Sequence, residues 1–202
     1  AGIGARERAV VREHDGFTIG AGENGRNDVT LVAYHFWDDI RYDEMWRDLE
    51  FAIRETWRHC GRLKTVVVTN AVGKSLKAFA ENYPIVSIQC ESNLQAGNIF
   101  SMSADCNGRL ASRFDTEYVL IVQNDGYPLR KGLDDFVGKF DFIGAPYVRN
   151  KLFQQIYCRI FKTWVMNGGF SLRSHNLCEF AAYHWNKTYS SISSKLSKSI
   201  YF

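Results

Sequence analysis

Hydrophobic residues along this chain fall into short runs separated by segments with helical spacing. Runs typical of strands cover residues 29–36, 65–69, 85–88, 118–122, 140–143 and 163–172. Helical periodicity predicts helices that end near residue 59 and that cover 75–83, 98–114, 152–160 and 174–187. Strands that alternate with helices imply right-handed crossovers and helices on both faces of a sheet. The chain is therefore predicted to be an α/β protein with a mostly parallel central sheet.

One of these strands is hydrophobic at every position. The sequence Tyr118-Val119-Leu120-Ile121-Val122 contains no polar residue, which is typical of a strand covered on both faces. The strand runs out into Gln123-Asn124-Asp125-Gly126. In open α/β sheets ligands bind beyond the carboxyl ends of the strands, so this turn is the main candidate site.

Composition narrows the class of protein. The 202 residues include 25 basic and 22 acidic side chains, a formal net charge of +3, and 46% of residues are hydrophobic. These values are ordinary for a globular protein and too hydrophobic for a disordered one. No nucleic-acid partner is expected, because such proteins concentrate a larger basic excess on one face.

Domain boundaries and location follow from biased segments and from cysteine use. Residues 1–28 are predicted to be an extended lead-in, 29–187 a single domain, and 188–202 a flexible or surface-associated tail. The Ser- and Lys-rich tail could lie on a membrane surface. Five scattered cysteines without zinc spacing indicate reduced thiols in a cytoplasmic protein, free or at the inner face of a membrane. No hydrophobic stretch reaches the ~20 residues that span a bilayer.

Two glycine motifs resemble nucleotide-binding loops. Gly20 to Gly25 spells GxGxxG, but a strand follows it where the dinucleotide motif requires a helix. Gly73-Lys74-Ser75 resembles the end of a P-loop, yet Val68 stands where that motif requires a glycine. We interpret the first as a loop and the second as a plain helix start.

The turn after residue 122 offers a different chemistry. Asp125 could hold Mg²⁺ or Mn²⁺, because hard cations prefer carboxylate oxygen and share their remaining positions with water and substrate phosphates. The alternative is a turn aspartate that caps nearby backbone amides.

A second candidate segment is Asn167-Gly168-Gly169-Phe170-Ser171-Leu172-Arg173-Ser174. Two glycines within a strand indicate a bulge or a close approach of backbone to ligand. Asn167 could hydrogen-bond a sugar hydroxyl, and Arg173 could pair with phosphate or with a structural carboxylate. A purely structural bulge is the alternative.

These two segments, with Phe142-Ile143-Gly144-Ala145-Pro146 between them, resemble a bacterial family of glycosyltransferases with the GT-A fold, often described only as a domain of unknown function. The resemblance covers about residues 29–185 and is specific from about 98 to 174. It implies a three-layer GT-A-like sandwich, a nucleotide-diphosphate sugar donor, and a glycan or lipid-linked glycan acceptor.

The resemblance also implies roles for particular residues. Asp125 would be the catalytic metal ligand for Mn²⁺ or Mg²⁺, although the Asp-x-Asp motif of GT-A enzymes is reduced here to Gln123-Asn124-Asp125. The nucleotide-sugar would be bound by His35, Asn70, Asn107, Arg109, Gln123, Asn124 and Asp125. The acceptor or sugar would contact Asn167, Gly168, Gly169 and Arg173.

The sequence departs from that family at its carboxyl end. Many GT-A enzymes place a carboxylate there to deprotonate the acceptor hydroxyl. Glu179 is the one acid after Arg173, so it is the candidate base, with a solvated helix residue as the alternative. In that case the base comes from elsewhere, such as the neighbourhood of Asp125, or the sequence stops before it. His184 could complete a metal site, but its place near apolar residues favours a packed histidine.

The predicted function is sugar transfer from a nucleotide-diphosphate donor, assisted by a metal at Asp125. One alternative is a non-catalytic domain of the same fold that binds a sugar or nucleotide within a larger protein. A nucleotidyltransferase is the third hypothesis, but it would need a Gly-rich basic loop where His35-Phe36-Trp37-Asp38 stands.

Overall fold

A computed structural model describes residues 26–37, 41–91, 94, 99–146 and 166–199. The helices and strands alternate as predicted as far as the fourth strand. The strands are β1 (Val29–His35), β2 (Lys64–Thr69), β3 (Val86–Cys90), β4 (Tyr118–Val122), β5 (Phe142–Pro146) and β6 (Met166–Ser174). The helices are α1 (Tyr42–Cys60), α2 (Lys74–Asn82), α3 (Ile99–Gly108) and α4 (His175–Ser199), with short 3-10 helices at Leu110–Arg113 and Leu133–Asp135.

The six strands form one mixed sheet in the order β3-β2-β1-β4-β6-β5. Strands β1 to β4 pair in parallel, whereas β6 is antiparallel to both of its neighbours, β4 and β5. The prediction of a mostly parallel sheet is therefore confirmed only in part. Side chains alternate with the same period in either strand direction, so the pattern could not show that β6 is reversed.

The order of the strands reverses beside β1. The chain places β2 and then β3 on one side of β1, and then crosses back to place β4 on the other side. The helices that follow β1 and β3 pack on opposite faces of the sheet. Such a reversal leaves a crevice outside the carboxyl ends of the two strands that flank it.

Two hydrophobic layers hold the sheet. On one face, Trp46, Leu49 and Ile53 of α1 pack on Leu31 and Val67. On the other face, the clustered residues include Val32, Val66, Met102, Cys106 and Cys178. All residues of β1 and β4 are buried, as the continuous apolar run of β4 predicted. Each large side chain buried in this way stabilises the fold by about 1.5–3 kcal/mol.

Several predicted boundaries were wrong. Helix α4 continues to Ser199, past the predicted end at residue 187, because serine and lysine are tolerated inside a helix and no glycine or proline follows residue 187. Helix α1 begins at Tyr42 with Arg41 at its cap position. Residues 20–25, the segment 152–160 and Cys158 lie outside the described residues.

The four cysteines within the described ranges, Cys60, Cys90, Cys106 and Cys178, are free thiols. None of the helices in the described part of the chain is long and hydrophobic enough to cross a membrane.

A buried polar cluster attaches α3 to the sheet. The Asp105 carboxylate accepts a hydrogen bond from the Tyr34 hydroxyl at 2.8 Å and forms an ion pair with Arg113. Arg113 also donates to Gln89 at 2.9 Å and to Glu91 at 2.7 Å. Burial raises the pKa of Tyr34 well above its ordinary value, which keeps its hydroxyl protonated as a donor. The cluster therefore joins β1, α3 and the end of β3.

We expect Asp105→Ala to lower the free energy of unfolding by about 3–5 kcal/mol, because it removes one of the two carboxylates that pair with the buried Arg113 and also the acceptor of the buried Tyr34 hydroxyl. The exposed Arg58, 3.5 Å from Glu55, supplies a control. Arg58→Ala should cost less than about 1 kcal/mol. Urea unfolding measures both, and equal losses in the two variants would contradict a stabilising role for the buried cluster.

Candidate functional site at the carboxyl ends of β1 and β4

The chain leaves β4 through a closed tight turn. The Gln123 N–H donates to the Gly126 carbonyl at 3.3 Å, and the Gly126 N–H donates to the Gln123 carbonyl at 3.1 Å. Asn124 and Asp125 therefore stand at the tip, with Asp125 exposed. A Cβ added to Gly126 would lie 3.0 Å from the Cβ of Phe170. Glycine at this position thus lets the turn pack closely on β6.

Two methionines border the turn on opposite faces of the sheet. The Gln123 amide nitrogen lies 2.9 Å from the sulfur of Met102 in α3, and the Asn124 amide nitrogen lies 3.6 Å from the sulfur of Met45 in α1. The side chains of the turn are thus held between the beginnings of two helices. Neither methionine was predicted to lie at the site. Both are near the start of a helix that follows a parallel strand, and the starts of such helices lie at the carboxyl edge of the sheet.

The predicted glycine-rich segment reaches the same edge. Its strand, β6, runs antiparallel to β4, and Ile121 pairs with Ser171. Against β5 the register shifts: Gly144 pairs with Ser171, but Ala145 pairs with Asn167. Residues 168–170 are therefore an irregularity in the strand, as the two glycines indicated. Whether this segment contacts a sugar stays a prediction.

The end of β1 contributes an aromatic side chain. Trp37 is half-buried, its carbonyl accepts a hydrogen bond from the Asn70 side chain at 3.3 Å, and the Arg41 guanidinium lies 5.4 Å from its ring centre. Asn70 thus connects the ends of β1 and β2, close to where it was predicted. Trp37 and Arg41 were not singled out from the sequence, although Trp37 follows directly after a buried parallel strand.

His35 is placed beneath this edge. Its side chain is fully buried between the rings of Tyr42, at 4.2 Å, and Trp46, at 5.5 Å. Neither ring nitrogen has a hydrogen-bond partner within the described residues. Burial lowers the pKa of His35 to about 4, so the ring is neutral at pH 7. The structure supports a core role for His35, and its predicted contact with a nucleotide would require the core to open.

The Tyr42 side chain occupies the space inside the loop between β2 and α2. The Tyr42 hydroxyl donates to the Ala71 carbonyl at 2.6 Å and accepts from the Gly73 N–H at 3.3 Å. A Cβ on Gly73 would lie 2.5 Å from the Tyr42 ring. The N–H group that a P-loop would offer to phosphate is therefore used internally, consistent with a plain helix start at Lys74.

Three predicted ligand residues make contacts other than with the turn. Asn107 donates to the Ser103 carbonyl of its own helix at 2.7 Å. Arg109 pairs with Glu91 at 3.2 Å, just after β3, which is three strands or about 14 Å across the sheet from β4. Arg173 pairs in register with Val119, donates to the Ser171 hydroxyl at 3.2 Å and lies over the Phe142 ring. None of these contacts brings its side chain to Asp125.

The candidate base is also separated from the turn. The His175 N–H bonds the Glu117 carbonyl at the amino end of β4, and Glu179 lies one helical turn beyond it, about 6 Å along α4. Strand β4 and its turn place Asp125 more than about 13 Å from that end. The assignment of Glu179 as base is therefore not supported. His184 is exposed beside the rings of Phe180 and Tyr183, so the expected packed histidine was wrong.

The donor atoms of the turn suit a hard cation only when a ligand completes the site. Within the described ranges no three His, Cys, Asp or Glu residues are grouped to hold a metal ion. The turn offers the Asp125 carboxylate and the amide oxygens of Asn124 and Gln123. One carboxylate is enough for Mg²⁺ or Mn²⁺ that takes its other ligands from phosphates and water. The residues therefore fit a metal shared with a phosphorylated ligand.

The sheet and its polar turn define the class: an α/β protein with a crevice of the ligand-binding kind at its carboxyl edge. The chain belongs to the family described as protein of unknown function DUF5672, whose model matches residues 92–199, just over half of the chain. No curated protein matches it in sequence.

The solved structures that are similar to this chain include two sugar-transferring enzymes. One is the mannosyltransferase PcManGT from Pyrobaculum calidifontis in complex with GDP-Man and Mn²⁺, which is 17% identical with a TM-score of 0.48 and coverage of 87% of this chain and 52% of that one. The other is mannosyl-3-phosphoglycerate synthase from Rubrobacter xylanophilus, 15% identical, with a TM-score of 0.43 and coverage of 86% and 56%. This chain thus spans about half the length of each.

We expect the neutral, buried His35 to make stability depend on pH. Since its pKa is about 4 in the fold and 6.5 when unfolded, acid favours the unfolded chain as pH falls from 6.5 towards 4. Between pH 7.5 and 5 this residue should remove about 2 kcal/mol from the free energy of unfolding. The free energy of unfolding of wild type, minus that of His35→Phe, should therefore fall by about 2 kcal/mol between pH 7.5 and pH 5 when both are measured by urea unfolding. A difference that is constant with pH would contradict the burial of a neutral ring.

Proposed function

We propose that this protein is a GT-A-type glycosyltransferase that binds a nucleotide-diphosphate sugar at the carboxyl ends of β1 and β4. The observation that carries the proposal is the coincidence of two features. The strand order reverses between β1 and β4, and the Asn124-Asp125 turn stands directly beyond β4. Nucleotides bind at such reversals in open α/β sheets because the crevice is bordered by helix N-termini, which favour phosphate.

The reaction assigns roles to the residues at this edge. The bond between the anomeric carbon and the diphosphate oxygen breaks, the acceptor oxygen bonds to that carbon, and the acceptor proton passes to a base. A divalent metal, when bound, offsets the negative charge that develops on the leaving diphosphate. Asp125 would hold that metal, and the amides of Asn124 and Gln123 would orient hydroxyl or phosphate groups.

The walls of the crevice suit the other parts of a donor. Trp37 offers an aromatic face against which a nucleobase can stack, and the adjacent Arg41 carries positive charge. The irregular segment at 168–170 lets backbone approach a sugar without a side chain in the way at Gly168 and Gly169. Arg173 remains a proposed phosphate contact only if its side chain leaves Ser171.

The acceptor and the location follow from the same proposal. A glycan or lipid-linked glycan would approach the exposed side of Asp125, in the cytoplasm or at the inner face of a membrane. The exposed side chains of Phe180 and Tyr183 with Lys187 on α4 support surface association, because aromatic and basic side chains suit an anionic lipid interface.

A second function is favoured by one observation. Glu179, the predicted base, lies towards the other end of the sheet from Asp125. A domain that binds a nucleotide-sugar without transferring it would need no base. This non-catalytic function is the alternative that the experiments below separate from transfer.

The first test is ligand-induced thermal stabilisation. UDP, GDP, CDP and dTDP are each added with and without Mn²⁺ to wild type and to Asp125→Ala. A nucleotide at a hundred times its dissociation constant should stabilise the wild type by about 2.7 kcal/mol. This equals a rise in melting temperature of about 5–11 °C at this chain length. We expect one nucleotide to act in a Mn²⁺-dependent way and to lose its effect in Asp125→Ala.

The matched control is Glu81→Ala, which removes an exposed acid at the far end of α2. It should respond like the wild type. A Mn²⁺-dependent shift that survives in Asp125→Ala, or no shift with any nucleotide, would refute the proposed site.

Catalysis is tested separately by donor turnover. With the nucleotide from the first test, its sugar conjugate should release nucleoside diphosphate slowly in water and faster with an acceptor glycan, measured by a coupled assay. Asp125→Ala should lower this rate at least tenfold. Tight binding without any release would favour the non-catalytic function instead.

A further inference from the structure

A second cleft lies at the opposite, amino edge of the sheet. It has a volume of about 680 Å³ and is lined by residues at the starts of β1 to β4, among them Arg26, Arg62, Lys64, Ile85, Ser87 and Asp115. Pockets of about 300–1,000 Å³ are of the size that holds small molecules. Strand β2 separates Lys64, at this edge, from Thr69, at the other, by roughly 17 Å. The cleft is therefore distinct from the proposed donor site.

Of the three basic side chains that line this cleft, two have carboxylate partners among the described residues and one does not. Arg26 pairs with Asp28 at 2.6 Å and also with Asp134, and Lys64 pairs with Asp115 at 2.7 Å. Arg62 forms no ion pair and no side-chain hydrogen bond with the described residues. One full positive charge thus borders the cleft without a carboxylate partner. A partly buried guanidinium without a carboxylate partner can bind an anion, because its N–H groups have lost water and have no acceptor in the protein.

Aromatic stacking fixes the Arg62 side chain. Its guanidinium lies 5.8 Å from the ring centre of Trp57 and 5.3 Å from that of Tyr83. Arg54 lies 5.1 Å from the same Tyr83 ring and donates to the Tyr83 hydroxyl at 2.8 Å, which holds that ring in place. The Nε atom of Arg62 is buried and lacks a hydrogen-bond acceptor in the described chain. The contacts with the two rings therefore hold the planar Arg62 guanidinium in one orientation before any ligand binds.

We propose that this cleft binds a small molecule carrying a phosphate group, with Arg62 as its main ligand. Two parallel N–H groups of a guanidinium match two phosphate oxygens, and such charge-assisted pairs are about twice as strong as neutral hydrogen bonds. Lys64 is half-exposed and paired only at the surface, so it can turn from Asp115 to the same phosphate. Pro84 and Ile85 provide an apolar wall, and the Ser87 and Thr116 hydroxyls provide further polar contacts.

The experiment observes the Arg62 Nε–H group directly. A ¹H–¹⁵N spectrum of the arginine side chains is recorded while inorganic phosphate is titrated at constant ionic strength, with chloride and acetate as reference anions. The buried Nε–H of Arg62 should give a resolved signal that shifts saturably with phosphate and not with chloride. A signal that moves equally with chloride, or linearly without saturation, would overturn the proposal. Acetate binding as tight as phosphate would overturn the phosphate assignment.

Variants extend the test. Arg62→Lys keeps the positive charge but lacks the paired N–H groups of a guanidinium, so it should weaken phosphate binding, measured by calorimetry, at least tenfold. Arg62→Gln should abolish binding. Arg58→Gln, in the last turn of α1 and four residues before Arg62, is exposed and paired with Glu55, and should bind like the wild type. Phosphate binding that persists in Arg62→Gln would refute the assignment. The titration of the wild type can refute the proposal by itself, so the test does not depend on whether the variants fold.

Discussion

The parallel pairing of β1 with β4 is the contact on which the rest of the structure depends. Val29 to Ala33 pair with Tyr118 to Val122, and every one of these residues is buried between helices on both faces. A strand pair buried on both sides can exist only if the chain covers each face, so the crossover after β3 must bring α3 to the face opposite α1. That crossover reverses the strand order and opens the crevice at Asn124 and Asp125.

The sequence predicted the parts of this arrangement that local periodicity determines. The fully apolar run at 118–122 indicated a strand covered on both faces, and helical periodicity indicated a helix ending near residue 59, where α1 ends at Cys60. The turn at 123–126 was identified because an amide, a carboxylate and a glycine follow a buried strand. The paired glycines at 168 and 169 marked the irregularity in β6.

Features that depend on tertiary packing were missed. Strand direction leaves no trace in hydrophobic alternation, so the reversal of β6 was not predicted. Arg113 and Asp105 form a buried ion pair between segments whose apposition no local pattern reveals. For the same reason the sequence could not show that Glu179 lies towards the amino end of β4, or that Tyr42 fills the loop before Lys74. The phosphate cleft around Arg62 likewise joins four strand starts that are distant in the chain.

Paramagnetic broadening by Mn²⁺ reports directly on whether the crevice between β1 and β4 binds a metal and a nucleoside diphosphate together, as proposed. Mn²⁺ is added at substoichiometric amounts to ¹⁵N-labelled protein with the nucleoside diphosphate that stabilises it. Backbone amide signals of residues 123–126 should broaden first, followed by those of Phe36 and Trp37, while the signals of Lys64 and Ser87 at the amino edge stay sharp. Broadening centred on the amino edge, or spread evenly over exposed acids, would rule out a metal and diphosphate site between β1 and β4.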